Sequence, residues 1–298
     1  MKRKPSICIV GAGNLAKSLV PALRAAGYVI DEIISRNQPQ SLARARSLAR
    51  VAGARAAAMD RAKLLADVVW LCVNDGAIAA CAAELAARTP AGRAARRRGK
   101  AWTGKTVLHS SGALSSRELA PLRRQGAEVA SVHPMMTFVR RSSPSLRGIG
   151  FAIEGGRAAA AVASSIASTL GGEVFAIRES AKALYHAWGA FGSPLLVMDL
   201  ALAAEVARAA GIGPRTAARV IEPLVRQTIK NYFKYGAKAA FSGPFVRGDL
   251  ETVRRHLRAL ERVPGARDVY VALARSALRT LPVKRKSAIE ATLAIINL

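Results

Sequence analysis

The segment from Ser6 to Ala26 constrains this chain more than any other. A β-branched apolar run, Ser6 to Val10, leads at once into Gly11-Ala12-Gly13-Asn14-Leu15-Ala16, and an amphipathic stretch follows to Ala26. Strand, glycine turn and helix in this order fit G-x-G-x-x-G/A. The first glycine makes the turn, the second lets the backbone approach a pyrophosphate, and the small Ala16 lets the helix pack on the strand. The helix N-terminus then offers N–H donors and a partial positive charge to an anion. Gly11, Gly13, Asn14 and Leu15 are therefore the expected dinucleotide-binding residues.

The alternation continues. Gly27 ends the helix, Tyr28 to Ile34 reads as a second strand and Ser41 to Val51 as a second helix. Further strands are expected at Arg55 to Ala58, Val68 to Val73, Thr106 to His109, Glu128 to Val132, Ile149 to Ile153 and Glu173 to Ile177. Helices fall between them at Ile78 to Ala87, Ser115 to Gln125 and Arg157 to Leu170, with basic loop chemistry over 88–104. Such alternation predicts a mostly parallel sheet with right-handed crossovers, a Rossmann-type α/β fold. From Glu179 onward long helical periods take over, at 179–210, 214–235, 249–262, 266–280 and 285–296. The expected division is an α/β nucleotide domain over 1–178 and an all-α domain over 179–298, with Pro194 and Pro223 kinking or dividing the first two of its helices.

Composition narrows the class. Lys and Arg outnumber Asp and Glu by 46 to 19, a formal net charge of +27, which steers anions toward the chain. The excess is spread along the sequence, with local concentrations at Lys2 to Lys4, Arg93 to Lys100 and Lys284 to Lys286. No zinc-finger spacing or aromatic RNA-binding signature accompanies it, so an anionic small molecule is a better expectation than a specific nucleic acid. Cys8, Cys72 and Cys81 form no close pair or metal-ligand cluster and suit a cytosolic protein without a metal. The apolar run behind Met1-Lys2-Arg3-Lys4 is too short for a signal peptide, and no uninterrupted apolar run reaches spanning length, so no membrane partner is expected.

The end of the second strand decides cofactor choice. An acid there binds the ribose 2′-OH of NAD, whereas an Arg accommodates the 2′-phosphate of NADP. Asp31 and Glu32 fall inside the strand pattern, and Ser35-Arg36-Asn37 follows it. A hydroxyl beside a guanidinium is phosphate-binding chemistry, so NADP is the expected cofactor. Asn74-Asp75, after the strand Val68 to Val73, reads either as a nicotinamide-ribose contact or as a turn with an Asp cap.

Hydride transfer needs a proton donor or acceptor beside the reacting carbon, a task that suits imidazole. His133 follows a strand and precedes Pro134, which puts it at a C-terminal strand edge, either for catalysis or as a loop anchor. His109-Ser110-Ser111-Gly112 ends another strand. Ser110 and Ser111 there either bond a substrate or nicotinamide amide, or cap the helix that follows. Lys182 and His186, four apart, share one helix face, as cleft groups or as parts of an ordinary amphipathic helix. Arg247 can reach an anionic substrate group or belong to a structural loop with Asp249. His256, among arginines, reads as a solvated face residue.

Read in order, Gly11 to Ala16, Ser35-Arg36, His109-Ser110-Ser111-Gly112-Ala113, His133-Pro134 with Phe138, Tyr185-His186-Ala187 and Ser242-Gly243-Pro244 through Arg247-Gly248-Asp249 carry a resemblance. The chain resembles the Rossmann-like proteins with the domain of unknown function DUF2520, related to F420-dependent NADP oxidoreductases, pyrroline-carboxylate reductases and ketopantoate reductases. The resemblance implies NADP as nucleotide and a helical domain that forms a homodimer, and it implies no substrate. The His-Pro element is similar to that of prephenate dehydrogenases, where the histidine touches the substrate hydroxyl. One departure is Ser193-Pro194, where members often carry Asn. The expected activity is that of an NADP-dependent reductase or dehydrogenase on a small, anionic carbonyl, imine or alcohol; the alternative is an NADP-binding sensor without turnover.

Overall fold

The computed structural model describes residues 3–88, 90 and 100–294. Lys2, most of the basic cluster Arg93 to Lys100 and the last two residues expected in the final helix lie outside them. Contacts divide the chain into two units, Met1–Ser193 and Pro194–Leu298.

The first unit is built on one eight-stranded sheet. Its strands are β1 (Ile7–Val10), β2 (Ile30–Ser35), β3 (Arg55–Ala58), β4 (Val68–Leu71), β5 (Thr106–His109), β6 (Glu128–Pro134), β7 (Gly150–Gly155) and β8 (Glu173–Ala176), in spatial order β3-β2-β1-β4-β5-β6-β7-β8. Strands β1 to β6 run parallel, so their C-terminal ends share one edge. Helices α1 (Asn14–Ala25), α2 (Pro39–Ala52), α3 (Asp75–Ala86), α4 (Ala120–Arg124) and α5 (Arg157–Thr169) flank the sheet, and α6 (Lys182–Gly192) follows it. The expected mostly parallel α/β sheet is what forms. Strand β7 is antiparallel to β6, because residues 135–149 contain no crossover helix and a parallel return requires one.

Central strands buried on both faces explain the unbroken apolar runs. Every residue of β1 and of β4 is buried, as sheets covered by helices on both sides demand. One apolar cluster joins Ile7, Ile9, Leu19, Leu23, Trp70 and Phe151; another joins Cys8, Val10, Val69, Leu71, Ile78 and Trp102. The expected helix at Ser115 to Gln125 is a 3₁₀ turn, Ser116–Leu119, that passes into α4.

The second unit is all helical: α7 (Pro194–Ala209), α8 (Pro214–Ala240), α9 (Pro244–Arg247), α10 (Leu250–Leu260), α11 (Ala266–Thr280) and α12 (Lys286–Ala294). Val253, Leu257, Val271, Ile289 and Leu293 form its core. Pro194 opens α7 after a break at Ser193 (φ −133°, ψ −81°), as its missing N–H dictates. The interruption in α8 falls at Gly236 (φ 78°, ψ 166°) rather than at Pro223. Proline's fixed φ is itself helical, whereas glycine reaches positive φ without a Cβ penalty.

One helical stretch bears on the expectation of no membrane partner. By length and composition alone, Glu179–Ala209 is long and apolar enough to cross a membrane, and its most apolar 18 residues are not buried. The polar residues that interrupt its apolar run are few enough to leave the average high. Neither α7 nor α8 has a buried residue. Exposed apolar side chains include Leu184, Trp188 and Phe191 on α6 of the first unit and Val197, Met198, Val220, Leu224 and Phe233 on α7 and α8 of the second.

Candidate functional site

The glycine turn stands where β1, β2 and β4 end together. Gly11 has φ +109°, its N–H donates to Ile34 O at 2.8 Å, and a Cβ there would lie 2.4 Å from Cys72 O. Only glycine fits that position. Gly13 is different: its backbone is extended (φ −84°) and the nearest atom to an added Cβ is 3.9 Å away, which leaves its outer side open to a ligand. It precedes α1, whose first turn has no acidic residue and whose N-cap contributes no side-chain hydrogen bond. Uncapped N–H groups without a competing carboxylate fit a pyrophosphate. Asn14 Nδ2 donates to Phe138 O at 3.1 Å and so ties the turn to the segment after β6. Leu15 packs on the sheet's apolar cluster beside the fully buried Ala16.

The end of β2 suits a phosphate better than a ribose hydroxyl. Glu32 is buried, ion-paired with Arg55, and accepts the backbone N–H groups of Lys63 and Leu64. That carboxylate is a structural pin inside the sheet and is not free for a ligand. Ser35 is buried, with its hydroxyl on Arg36 O at 3.2 Å. Arg36 is exposed, and its guanidinium makes no ion pair among the described residues.

Beyond the turn, the ends of β4, β5 and β6 meet α6. Asn74 precedes α3 without a side-chain cap bond, and Asp75 Oδ2 accepts from Ser111 Oγ at 2.8 Å. Ser111 Oγ also accepts the N–H groups of Ala113 and Leu114, and Ser110 Oγ accepts from the indole N–H of Trp70 at 2.8 Å. Lys182 is 1% exposed. Its Nζ donates to Ser111 O at 3.1 Å and to Ser131 Oγ at 2.7 Å. Burial holds this ammonium below the ordinary lysine range, against the opposing pull of Glu154 and Asp75.

Two imidazoles close over Gly112. A Cβ there would lie 2.7 Å from His186 Cδ2 and 2.9 Å from His133 Nε2, so glycine is needed for their close approach. His133 Nδ1 is 2.7 Å from Tyr185 Oη, and the rings of His133 and His186 stand edge-on with centroids 6.2 Å apart. Tyr185 packs on Phe175 and Trp188. Burial, followed by the charges of His186 and Lys182, lowers His133 to about 4; burial raises the Tyr185 phenol to about 12. Both are therefore neutral at neutral pH.

His109 has another task. It is fully buried, Nδ1 accepts Ser111 N–H at 3.1 Å and Nε2 lies 3.0 Å from Ser115 O. A backbone N–H can only donate, so the ring proton sits on Nε2 and both nitrogens are satisfied within the loop. Arg247 is exposed in the second unit at the end of α9. Asp249 caps α10 by accepting Thr252 N–H at 3.0 Å, the structural half of the motif's expected roles. The site residue that sequence reasoning passed over is Tyr185: it lay inside the Tyr-His-Ala motif, and only the fold brings it to His133, 52 positions away. Among the described residues no group of three or more His, Cys, Asp or Glu is arranged to hold a metal.

Known proteins resemble this chain in sequence and in fold. Residues 149–277 match the domain of unknown function DUF2520, and residues 6–94 match the family described as NADP oxidoreductase, coenzyme F420-dependent. The family resemblance of the motifs is thereby shown. A putative NADP oxidoreductase from Bacteroides fragilis is similar at 25% identity and TM-score 0.72, over 92% of this chain and 97% of that one. A protein from Thermotoga maritima is similar at 25% identity and TM-score 0.69, over 90% and 95%. An imine reductase from Myxococcus stipitatus in complex with NADP+ shares the fold at 16% identity and TM-score 0.64, over 92% and 94%. No curated protein matches the chain. The fold is that of NADP-dependent oxidoreductases.

Burial gives His109 a predictable acid response. Its folded-state value of about 4 lies below the ordinary 6.5, so the unfolded chain takes up the proton first. The stability from the neutral ring is complete above about pH 6.5 and is lost as pH falls toward about 4, up to roughly 3 kcal/mol at about 1.4 kcal/mol per unit. Urea unfolding from about pH 7.5 to about 4.5 should show this decline, and His109→Gln should make it shallower. An unchanged slope would place the acid sensitivity elsewhere.

Proposed function

We propose that this chain, with its DUF2520 domain and its nucleotide domain of the NADP oxidoreductase type, is an NADP-dependent reductase or dehydrogenase acting on a small, anionic carbonyl, imine or alcohol. One observation carries the reading: the glycine turn after β1 and the His133–Tyr185–His186 cluster at the end of β6 lie at the same C-terminal edge of the parallel strands β1 to β6. That edge is where open α/β sheets take their ligands.

The backbone from Gly11 to Leu15 would hold the pyrophosphate, Ser35 and Arg36 the 2′-phosphate, and Asn74 and Asp75 the nicotinamide-ribose end. The bound dinucleotide supplies or accepts a hydride at the substrate carbon. The protein's part is to bind, to orient and to handle the proton. His133 offers its free nitrogen Nε2, which has no hydrogen-bond partner among the described residues, to the substrate's heteroatom. His186, exposed beside it, is the second catalytic candidate. Lys182 and Ser111 hold the floor of the site through the bonds described above, and Ser110 lines the same loop. The net charge of +27 favours an anionic substrate by long-range steering. Three buried, unbridged cysteines suit the reducing cytoplasm.

A second copy of the chain is the proposed partner. The second unit exposes Val197, Met198, Val220, Leu224 and Phe233 on α7 and α8, apolar surface of the kind that marks an interaction site, and a two-fold pairing would set the same helices of a second copy against it. Light scattering at micromolar concentration should give the mass of a dimer; a monomer would refute this.

Arg36→Asp removes the 2′-phosphate's partner and adds a like charge, so it should weaken NADPH binding far more than NADH binding. Equal losses would overturn the NADP assignment.

Consumption of NADPH with a panel of 2-keto acids and cyclic imines tests the activity. His133→Gln should then lower kcat on the order of 10²–10⁴-fold while NADPH affinity holds. Turnover within about threefold of wild type, far below that range, would make His133 structural. NADPH binding with no turnover of any compound would favour a sensor.

A further inference from the structure

We propose that Tyr185 is a positioning residue that keeps the single ring proton of His133 on Nε2, so that the site presents an N–H donor and takes a carbonyl oxygen rather than a protonated imine. The inference rests on the reductase reading for its substrate and on geometry alone for the tautomer.

A neutral imidazole has one donor and one acceptor nitrogen, and the bond made by one fixes the role of the other. The only hydrogen bond recorded for Tyr185 Oη among the described residues is the 2.7 Å contact with His133 Nδ1. Tyr185 is buried as a residue, 7% exposed, and its aromatic neighbours Phe175 and Trp188 provide no oxygen acceptor through their side chains. If Nδ1 carried the proton, it would donate to Oη, and the phenolic O–H would be left without an acceptor in the described chain. Buried polar groups avoid that state. Tyr185 O–H therefore donates to Nδ1, and the ring proton belongs to Nε2.

The surroundings keep the ring in this neutral state. Burial is the largest influence, and the like charges of His186 and Lys182 act in the same direction against Asp75. The phenol, raised to about 12, remains a donor across the neutral range. A neutral imidazole N–H is an effective partner for a carbonyl oxygen that gathers negative charge. It is a poor partner for an iminium, whose nitrogen has no lone pair to offer. When a reduced nicotinamide supplies hydride to the carbonyl carbon, the oxygen would take the Nε2 proton. Nδ1 takes the Tyr185 proton in the same movement; a solvent proton then returns to the open Nε2, and Nδ1 gives its proton back to the Tyr185 oxygen, which restores the Nε2–H tautomer. One proton is delivered, and no protein group is oxidised or reduced.

The deciding measurement uses the nucleotide-free protein. Long-range ¹H–¹⁵N NMR of the imidazoles, with the His133 signals identified by their loss in His133→Gln, should show the Nε2–H tautomer at neutral pH. Tyr185→Phe keeps the ring packing and removes the donor, so the His133 signals should move toward a mixture of tautomers. An Nδ1–H tautomer in the wild type, or an unaltered one in Tyr185→Phe, overturns the proposal whether or not a substrate is known. With NADPH, pyruvate and an N-methyl cyclic iminium as probes, the 2-keto acid should be the better substrate. Tyr185→Phe should lower kcat on the order of 10²-fold at unchanged NADPH affinity. Preference for the iminium overturns the substrate assignment. Failure of NADPH to bind overturns the reductase reading and leaves the tautomer result standing.

Discussion

The site hangs on one buried ammonium. Desolvating Lys182 Nζ is costly unless its donors are met, and here the main chain of Ser111 and the hydroxyl of Ser131 meet two of them. Ser131 Oγ itself donates to Ser111 O at 3.1 Å, so three groups from the β5 loop, β6 and α6 close one knot. Tyr185 and His186 lie three and four residues after Lys182, on the same face of α6. Fixing Lys182 therefore fixes the height and rotation at which the phenol meets His133 and the second imidazole crosses Gly112. The same knot turns the Ser111 side chain toward Asp75, which couples the start of α3 to the arrangement.

Charge works in opposite ways inside and outside this knot. The surface has a large cationic excess, which draws anions from solution. Inside, burial above all, then His186 and Lys182, hold the His133 ring neutral. A cation placed beside an imidazole removes its usefulness as a charged acid and leaves it a neutral donor or acceptor. The buried carboxylates balance the interior: Glu154 accepts from Ser116 N–H and hydroxyl at 2.7 and 2.8 Å, and Glu32 binds Arg55 and two backbone amides.

Much of the sheet was legible because its signals are local. The glycine turn and the β-branched runs are short-range features and lie where the pattern puts them, whereas strand ends shift by one or two residues: Ser35, expected just after β2, closes it, and His133, expected after its strand, lies inside β6. What was not legible depends on distance or on averages. The acid within β2 could be placed off the cofactor's path by its position in the strand, but its pairing with Arg55 across the sheet needed the fold. Pro223 looked like a helix breaker by type, yet its φ suits a helix, and the break went to Gly236. Tyr185 reads as an ordinary apolar-face residue until β6 brings His133 beneath it. The antiparallel β7 follows from a missing crossover helix, a signal present in the sequence between Pro134 and Gly150 as the lack of any helical period.

His109 and His133 show why residue type and strand position were insufficient to rank the histidines. Both stand at the C-terminal ends of adjacent parallel strands, and burial lowers both to about 4. A reading based on shifted basicity alone would treat them as equals. Hydrogen-bond accounting separates them. His109 has Ser111 N–H on one nitrogen and Ser115 O on the other, so its bonding capacity is filled by its own loop. His133 has Tyr185 on Nδ1 and no protein partner on Nε2 among the described residues. A donor left unfilled by the protein is completed by a ligand, or by solvent in its absence. The free valence of His133, and not its basicity, is what separates the proposed proton donor from the ring that its own loop satisfies.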